Sequence, residues 1–229
     1  QFTGALLAGP VFSRAPKFFQ ELLLFPYLQG ALFVQQLRFL HPWAAMSDLY
    51  RDPPRSTAQI LHPEKFLRDR EDPLPVTFPD LRVILAQRWR LVTEDELGEW
   101  GLGMVLETFL DRTTGLSLAD GWRGDRYQLW EDDQGQLALI YRVRWEAEGA
   151  AGSFAQAYAG LLEKKYARLA GKALKRPGTV WSWQDGSQGF LVEQRGLEVL
   201  VLERVPAPAL TPIRQALWPA TAPAPAPAR

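Results

Sequence analysis

Apolar residues change their spacing partway along the chain, and that change constrains the fold more tightly than any motif. Between Lys17 and Leu40 they fall at Phe18, Leu22, Phe25, Leu28, Leu32, Phe33, Leu37 and Leu40. That spacing of threes and fours is one face of a helix. From about residue 126 the period becomes two. Tyr127 and Leu129 alternate with polar neighbours, as do Leu137, Leu139, Tyr141, Val143 and Trp145. Segments 126–131 and 136–146 therefore predict strands, and Asp132-Asp133-Gln134-Gly135 between them predicts a hairpin. Segment 150–170 returns to helical spacing through Phe154, Ala157, Tyr158, Leu161, Leu162 and Tyr166. Three further strands are expected over 179–183, 189–194 and 197–205, with Asp185-Gly186 and Arg195-Gly196 at their turns.

The order implies an α+β fold: a helical N-terminal half, then an antiparallel sheet packed on a helix, β-β-α-β-β-β. The expected organisation is a helical region over 1–80, an α+β region over 81–218 and an Ala/Pro-rich flexible tail over 219–229.

Local punctuation refines this outline. Pro26 predicts a kink or break in the first long helix. Segment 43–50 reads as a short helix stopped by Asp52-Pro53-Pro54. Ser56 or Thr57 can cap another, which Pro63 ends. Segment 69–80 holds three prolines and reads as an extended surface connection. After a strand over 89–92, Thr93-Glu94-Asp95-Glu96 reads as a capping box, opening a helix expected to reach Asp111. The close glycines Gly98, Gly101 and Gly103 then suggest tight helix–helix packing.

Composition removes several chemistries. Cysteine is absent, which excludes disulfides, thiolate metal sites and cysteine nucleophiles. Twenty-six basic residues balance twenty-six acidic ones, so nothing suggests a nucleic-acid partner or an electrostatic membrane anchor. Segment 18–39 is broken by Glu21, Pro26, Gln29, Gln35, Gln36 and Arg38, too often for a membrane span. His41 and His62 are the only histidines, too far apart for the paired-histidine helix of a zinc hydrolase, so no metal or other cofactor is expected within this chain. No Gly-x-Ser-x-Gly elbow, dinucleotide fingerprint or P-loop is present. Arg123-Gly124-Asp125 spells an adhesion tripeptide but reads as a turn leading into the hairpin.

Three segments together carry a resemblance: 21–34 (ELLLFPYLQGALFV), 54–66 (PRSTAQILHPEKF) and 121–127 (GWRGDRY). In this order they resemble the C-terminal portion of a family of exported bacterial proteins whose longer members look like zincin-type metallopeptidases. The resemblance covers 16–166, and Ser-Thr-x-Gln-Ile-Leu-His-Pro-Glu-Lys over 56–65 is its specific part. Ala58 stands where a Glu is expected and Arg123 where a small residue is expected. The family's His-Glu-x-x-His helix would lie ahead of Gln1, so zinc is implied only with that upstream segment attached, and no catalytic residue carries over.

The resemblance implies two roles for the chain. It is either the non-catalytic trailing part of an exported hydrolase, inactive alone and partnered by its upstream portion, or a non-enzymatic envelope or secreted protein that binds a partner or small ligand. The substrate-binding or metal-supporting candidates are Gln59, His62, Glu64 and Lys65. Gln59, His62 and Lys65 fall at i, i+3 and i+6, which would group them on one side of a turn. They would line a cleft, or His62 and Glu64 would only tie the helix end to the connection that follows.

Overall fold

The computed structural model describes residues 10–68, 70–85, 88–172, 174–176 and 179–218. The tail expected over 219–229 lies outside them. Contacts divide the chain into two compact units: 1–73 with 98–123, and 74–97 with 124–229. The chain thus enters the second unit at Leu74, returns to the first at Gly98 and leaves it again after Arg123.

The first unit is helical. Lys17–Leu40 forms one helix with Pro26 inside it, so the proline does not split it. Phe33 and Leu37 pack with Met46 of the Trp43–Arg51 helix, while Phe18 and Phe25 lie against Trp100. Two short helices follow, Thr57–Leu61 and Glu64–Leu67. After the excursion, Gly98–Glu107 and Arg112–Ala119 complete the unit as a packed pair.

The helix expected to run from Thr93 to Asp111 does not form as read. Strand β1 (Trp89–Asp95) absorbs Thr93, Glu94 and Asp95, and the helix starts only at Gly98. Glu94 serves a cross-strand purpose: it pairs with Arg126 and accepts a hydrogen bond from Gln128 Nε2 at 2.8 Å. Asp111 opens a second helix, its Oδ1 accepting from Thr114 N at 3.0 Å.

The second unit holds a seven-stranded sheet, counting only described residues, in the order β1-β2-β3-β7-β6-β5-β4. Its strands are β1, β2 (Trp122–Asp132), β3 (Leu137–Trp145), β4 (Leu174–Arg176), β5 (Val180–Asp185), β6 (Gln188–Arg195) and β7 (Glu198–Pro206). The first residues of β2, Trp122 and Arg123, belong to the first unit. The β1–β2, β3–β7, β4–β5, β5–β6 and β6–β7 pairs are antiparallel. Glu148–Lys165 is the expected helix against the sheet, with Phe154 beside Trp145. The opposite face is covered as well. Ile140, Leu200 and Leu202 pack with Ile213 and Leu217 of the Ala207–Leu217 helix and with Leu81 and Leu85. Both faces of β3 and β7 are therefore buried, which explains why the period-two pattern there has apolar residues on each side.

Arg123-Gly124-Asp125 lies inside β2 rather than in a turn. Gly124 is required there because a Cβ would sit 2.1 Å from the Leu74 carbonyl oxygen. Asp125 is buried and accepts the Leu97 amide at 2.9 Å, so it is no adhesion loop.

Candidate functional site

Ser56 opens the Thr57–Leu61 helix by accepting the Gln59 amide at 3.3 Å, and His62 closes it with its own amide on the Ala58 carbonyl at 2.8 Å. Pro63 then turns the chain, and the Lys65 amide bonds back to the His62 carbonyl at 2.9 Å. This tight double turn sends the four predicted residues in different directions. Gln59 is fully buried as a three-way tie: its Oε1 accepts from Arg55 N at 2.7 Å, and its Nε2 donates to Glu71 O and Asp72 Oδ1, each at 3.1 Å. Lys65 faces a narrow crevice with Glu71, Asp72 and Arg123. Glu64 is exposed, with Oε1 3.9 Å from His62 Nδ1.

His62 meets two residues that the sequence did not single out. Its Nε2 lies 2.6 Å from Glu99 Oε1 and 3.8 Å from Asp120 Oδ1. Glu99 is the second residue of the Gly98–Glu107 helix, and its position is fixed by contacts with the Thr57 helix. Thr57 Oγ1 accepts the Trp100 amide at 3.2 Å. Gly98, at φ +69°, passes so near that a Cβ would stand 2.7 Å from the same oxygen. A left-handed, side-chain-free residue is therefore needed to bring this helix start to His62.

Asp120 ends the neighbouring Arg112–Ala119 helix and caps it, its amide on Leu116 O at 3.1 Å. The separation of Glu99 and Asp120 follows from the close approach of the two helices. A Cβ on Gly115 would lie 2.8 Å from Glu107 N and 3.1 Å from Gly103 O. Of the crowded glycines expected to serve helix packing, Gly103 lies against Leu116 and Ala119 and Gly98 against Thr57; Gly115, on the facing helix, was not among them.

Burial divides the labour within this group. Glu99 is only 4% exposed, and its Oε2 has no hydrogen-bond partner among the described residues. The Asp120 side chain is 68% exposed and that of His62 29%, so the imidazole stands between a buried carboxylate and solvent. The hydrogen bond to Glu99 raises the His62 pKa above its usual value; partial burial opposes this, and the charges of Glu99 and Asp120 reinforce it. One imidazole nitrogen and two carboxylate oxygens lie within 4.8 Å of one another, a donor set able to exchange a proton with a ligand or to hold a cation.

Sequence reasoning reached His62 and missed both acids. The available signal was Glu99 itself, an acid between Gly98 and Trp100 at the head of a helix otherwise apolar as far as Glu107. Asp120 carried no such mark. Among the described residues no helix is long and apolar enough to cross a membrane. No curated protein and no solved structure matches the chain. One family model does, over residues 87–214, more than half of the chain and a span that takes in Glu99 and Asp120 but not His62. The chain belongs to the family described as Domain of unknown function (DUF8575).

Proposed function

We propose that this chain is the non-catalytic trailing portion of an exported zincin-like hydrolase, built to pack against a preceding portion of the same polypeptide. The observation that carries this reading is an uncovered apolar stripe on the first long helix. Phe19, Leu23, Tyr27 and Val34 recur at helical spacing and are between 40% and 65% exposed. Gly30 lies on the same stripe, and a Cβ there would meet nothing within 4 Å, which leaves an open notch between Tyr27 and Val34. A continuous apolar stripe of this kind marks a surface that another protein mass covers. A segment joined ahead of this helix would reach it at high effective concentration, needing few contacts to stay docked. The motif over 56–65 carries the resemblance to the zincin-like family, and His62 on its buried Glu99 supports a polar cleft wall beside the docked portion.

The test uses the longer natural polypeptide and this chain side by side. Amide exchange over 17–40 should slow at least tenfold in the longer protein, and Leu23→Glu with Tyr27→Glu should abolish that protection while leaving this chain's melting temperature unchanged. An upstream sequence without His-Glu-x-x-His, or equal exchange in both proteins, ends the reading. Capture of a separate secreted protein on the same stripe, with no intramolecular protection, would instead support a non-enzymatic binding protein.

A further inference from the structure

We infer that His62 Nε2, Glu99 and Asp120 form a binding site for one divalent first-row metal ion, of the zinc or manganese type. The sequence argues against such a site when only histidines are counted, because His41 and His62 cannot share a metal. The fold supplies the missing ligands as carboxylates from two other helices.

The protein leaves one buried acidic group of this cluster half unanswered. Glu99 is buried, and its Oε2 has no partner among the described residues. Burying a carboxylate oxygen without a donor costs free energy, which a cation bound by both oxygens of Glu99 would recover. Nothing about helix packing requires a charge there, since Trp100, Leu102 and Met104 of the same helix are simply buried apolar residues.

Distances agree. A metal held at about 2.0–2.2 Å by imidazole nitrogen and carboxylate oxygens keeps those atoms roughly 3–3.5 Å apart. The Nε2 separations of 2.6 Å from Glu99 and 3.8 Å from Asp120 straddle that range, and all three donor atoms lie within 4.8 Å of one another, so shifts of about 1–2 Å would seat the ion. The ion takes the place of the proton between Nε2 and Oε1, and that proton leaves to solvent. A small ring rotation would bring Nδ1–H to Glu64, now 3.9 Å away, which would orient the imidazole as outer carboxylates commonly do. One nitrogen and two carboxylates suit zinc or manganese better than a thiolate-seeking ion. Three protein ligands with Asp120 open to solvent leave coordination positions for water or a ligand.

The site uses only residues of this chain, so its failure would leave the apolar stripe and its docking reading untouched. The chain, stripped with chelator and dialysed, is titrated with zinc chloride by calorimetry and with cobalt(II) by visible absorption. One zinc should bind per chain, and cobalt should give d–d bands. Asp120→Asn should weaken zinc at least tenfold and Glu99→Gln more; His41→Ala should bind as the wild type does. The side chain of Asp120 is exposed, so that variant keeps the fold, as an unchanged melting temperature would show. The inference is overturned by absence of saturable one-to-one binding, by binding that Asp120→Asn and Glu99→Gln leave within twofold, or by loss in His41→Ala.

Discussion

Tyr158 donates its hydroxyl to Glu203 Oε1 at 2.6 Å, tying the Glu148–Lys165 helix to β7 beneath the sheet's buried face. The other oxygen of Glu203 accepts from Lys165 Nζ at 2.7 Å and from the Tyr166 hydroxyl at 3.0 Å. A carboxylate 2% exposed is tolerated here because both oxygens are answered. Glu203 contrasts with Glu99 in this respect: one buried acid is saturated by its own fold, the other is not.

The first prediction concerns alkaline stability. Burial first, then the Glu203 charge and the hydrogen bond to it, raise the pKa of Tyr158 and of Tyr166. In the unfolded chain both would ionise near pH 10. Each group with a raised folded pKa contributes stability that is fully present below about pH 10 and is lost as pH rises toward the folded value. Above pH 10 the denaturation midpoint should therefore fall with pH, and Tyr158→Phe should flatten that fall. Absorbance at 295 nm showing all six tyrosines ionising near pH 10 in the folded protein would contradict this.

A second prediction separates two glycines of the helix pair. At Gly115 the atoms a methyl would strike are backbone, Glu107 N and Gly103 O, and they cannot yield. At Gly103 the nearest atom, at 3.0 Å, is Leu116 Cδ2, the end of a flexible side chain. Gly115→Ala should cost about 1–3 kcal/mol by overpacking. Gly103→Ala should stay within about 1 kcal/mol of wild type, because alanine's helix preference offsets the crowding. Equal losses on chemical denaturation would mean the helices are not in this contact.

Gln59 supplies the third. Gln59→Leu leaves the Arg55 amide and the Glu71 carbonyl without their partner, at a cost of about 2 kcal/mol or more. Because Gln59 is fully buried and its bonds among the described residues stay within 55–72, the loss should appear in unfolding and not in affinity for any ligand. A ligand-affinity change in a variant of normal stability would return Gln59 to the site.

The strands of the second half were legible because the residues between them leave few choices. Asp132-Asp133-Gln134-Gly135 forms the turn between β2 and β3, and the Gly186 and Gly196 turns separate β5, β6 and β7. The Ala207–Leu217 helix was not legible, since Pro206, Pro208 and Pro212 discourage a helical reading. Its Ile213 and Leu217 nevertheless bury against the sheet, and Pro208 occupies the first turn, where no amide is needed. The false capping box has a similar cause. Thr93 and Glu94 suit a helix start by spacing alone, but Glu94 finds Arg126 and Gln128 across the sheet, partners far off in sequence. The site was half legible for the same reason. His62 stands in a distinctive local motif, whereas Glu99 and Asp120 become neighbours only because Gly98, Gly103 and Gly115 allow two helices to approach closely.

The last prediction concerns His62 and Glu99 in the metal-free chain. An exposed cleft residue would pack little, and His62→Ala would then cost less than about 1 kcal/mol. The geometry predicts a larger loss, because the alanine removes the partner Nε2 of a carboxylate that is almost wholly buried. A charged buried acceptor left without a donor costs about 1–3 kcal/mol or more. Glu99→Gln removes the charge while keeping the shape, so adding it to His62→Ala should recover part of the stability rather than deepen the loss. The coupling between the two substitutions should then be about 1 kcal/mol or greater, as befits residues in direct contact. Measured with chelator present, this cycle isolates the imidazole–carboxylate contact from any bound ion. Additive losses would mean that Glu99 is stabilised by something other than His62, and the site would need a different arrangement from the one described.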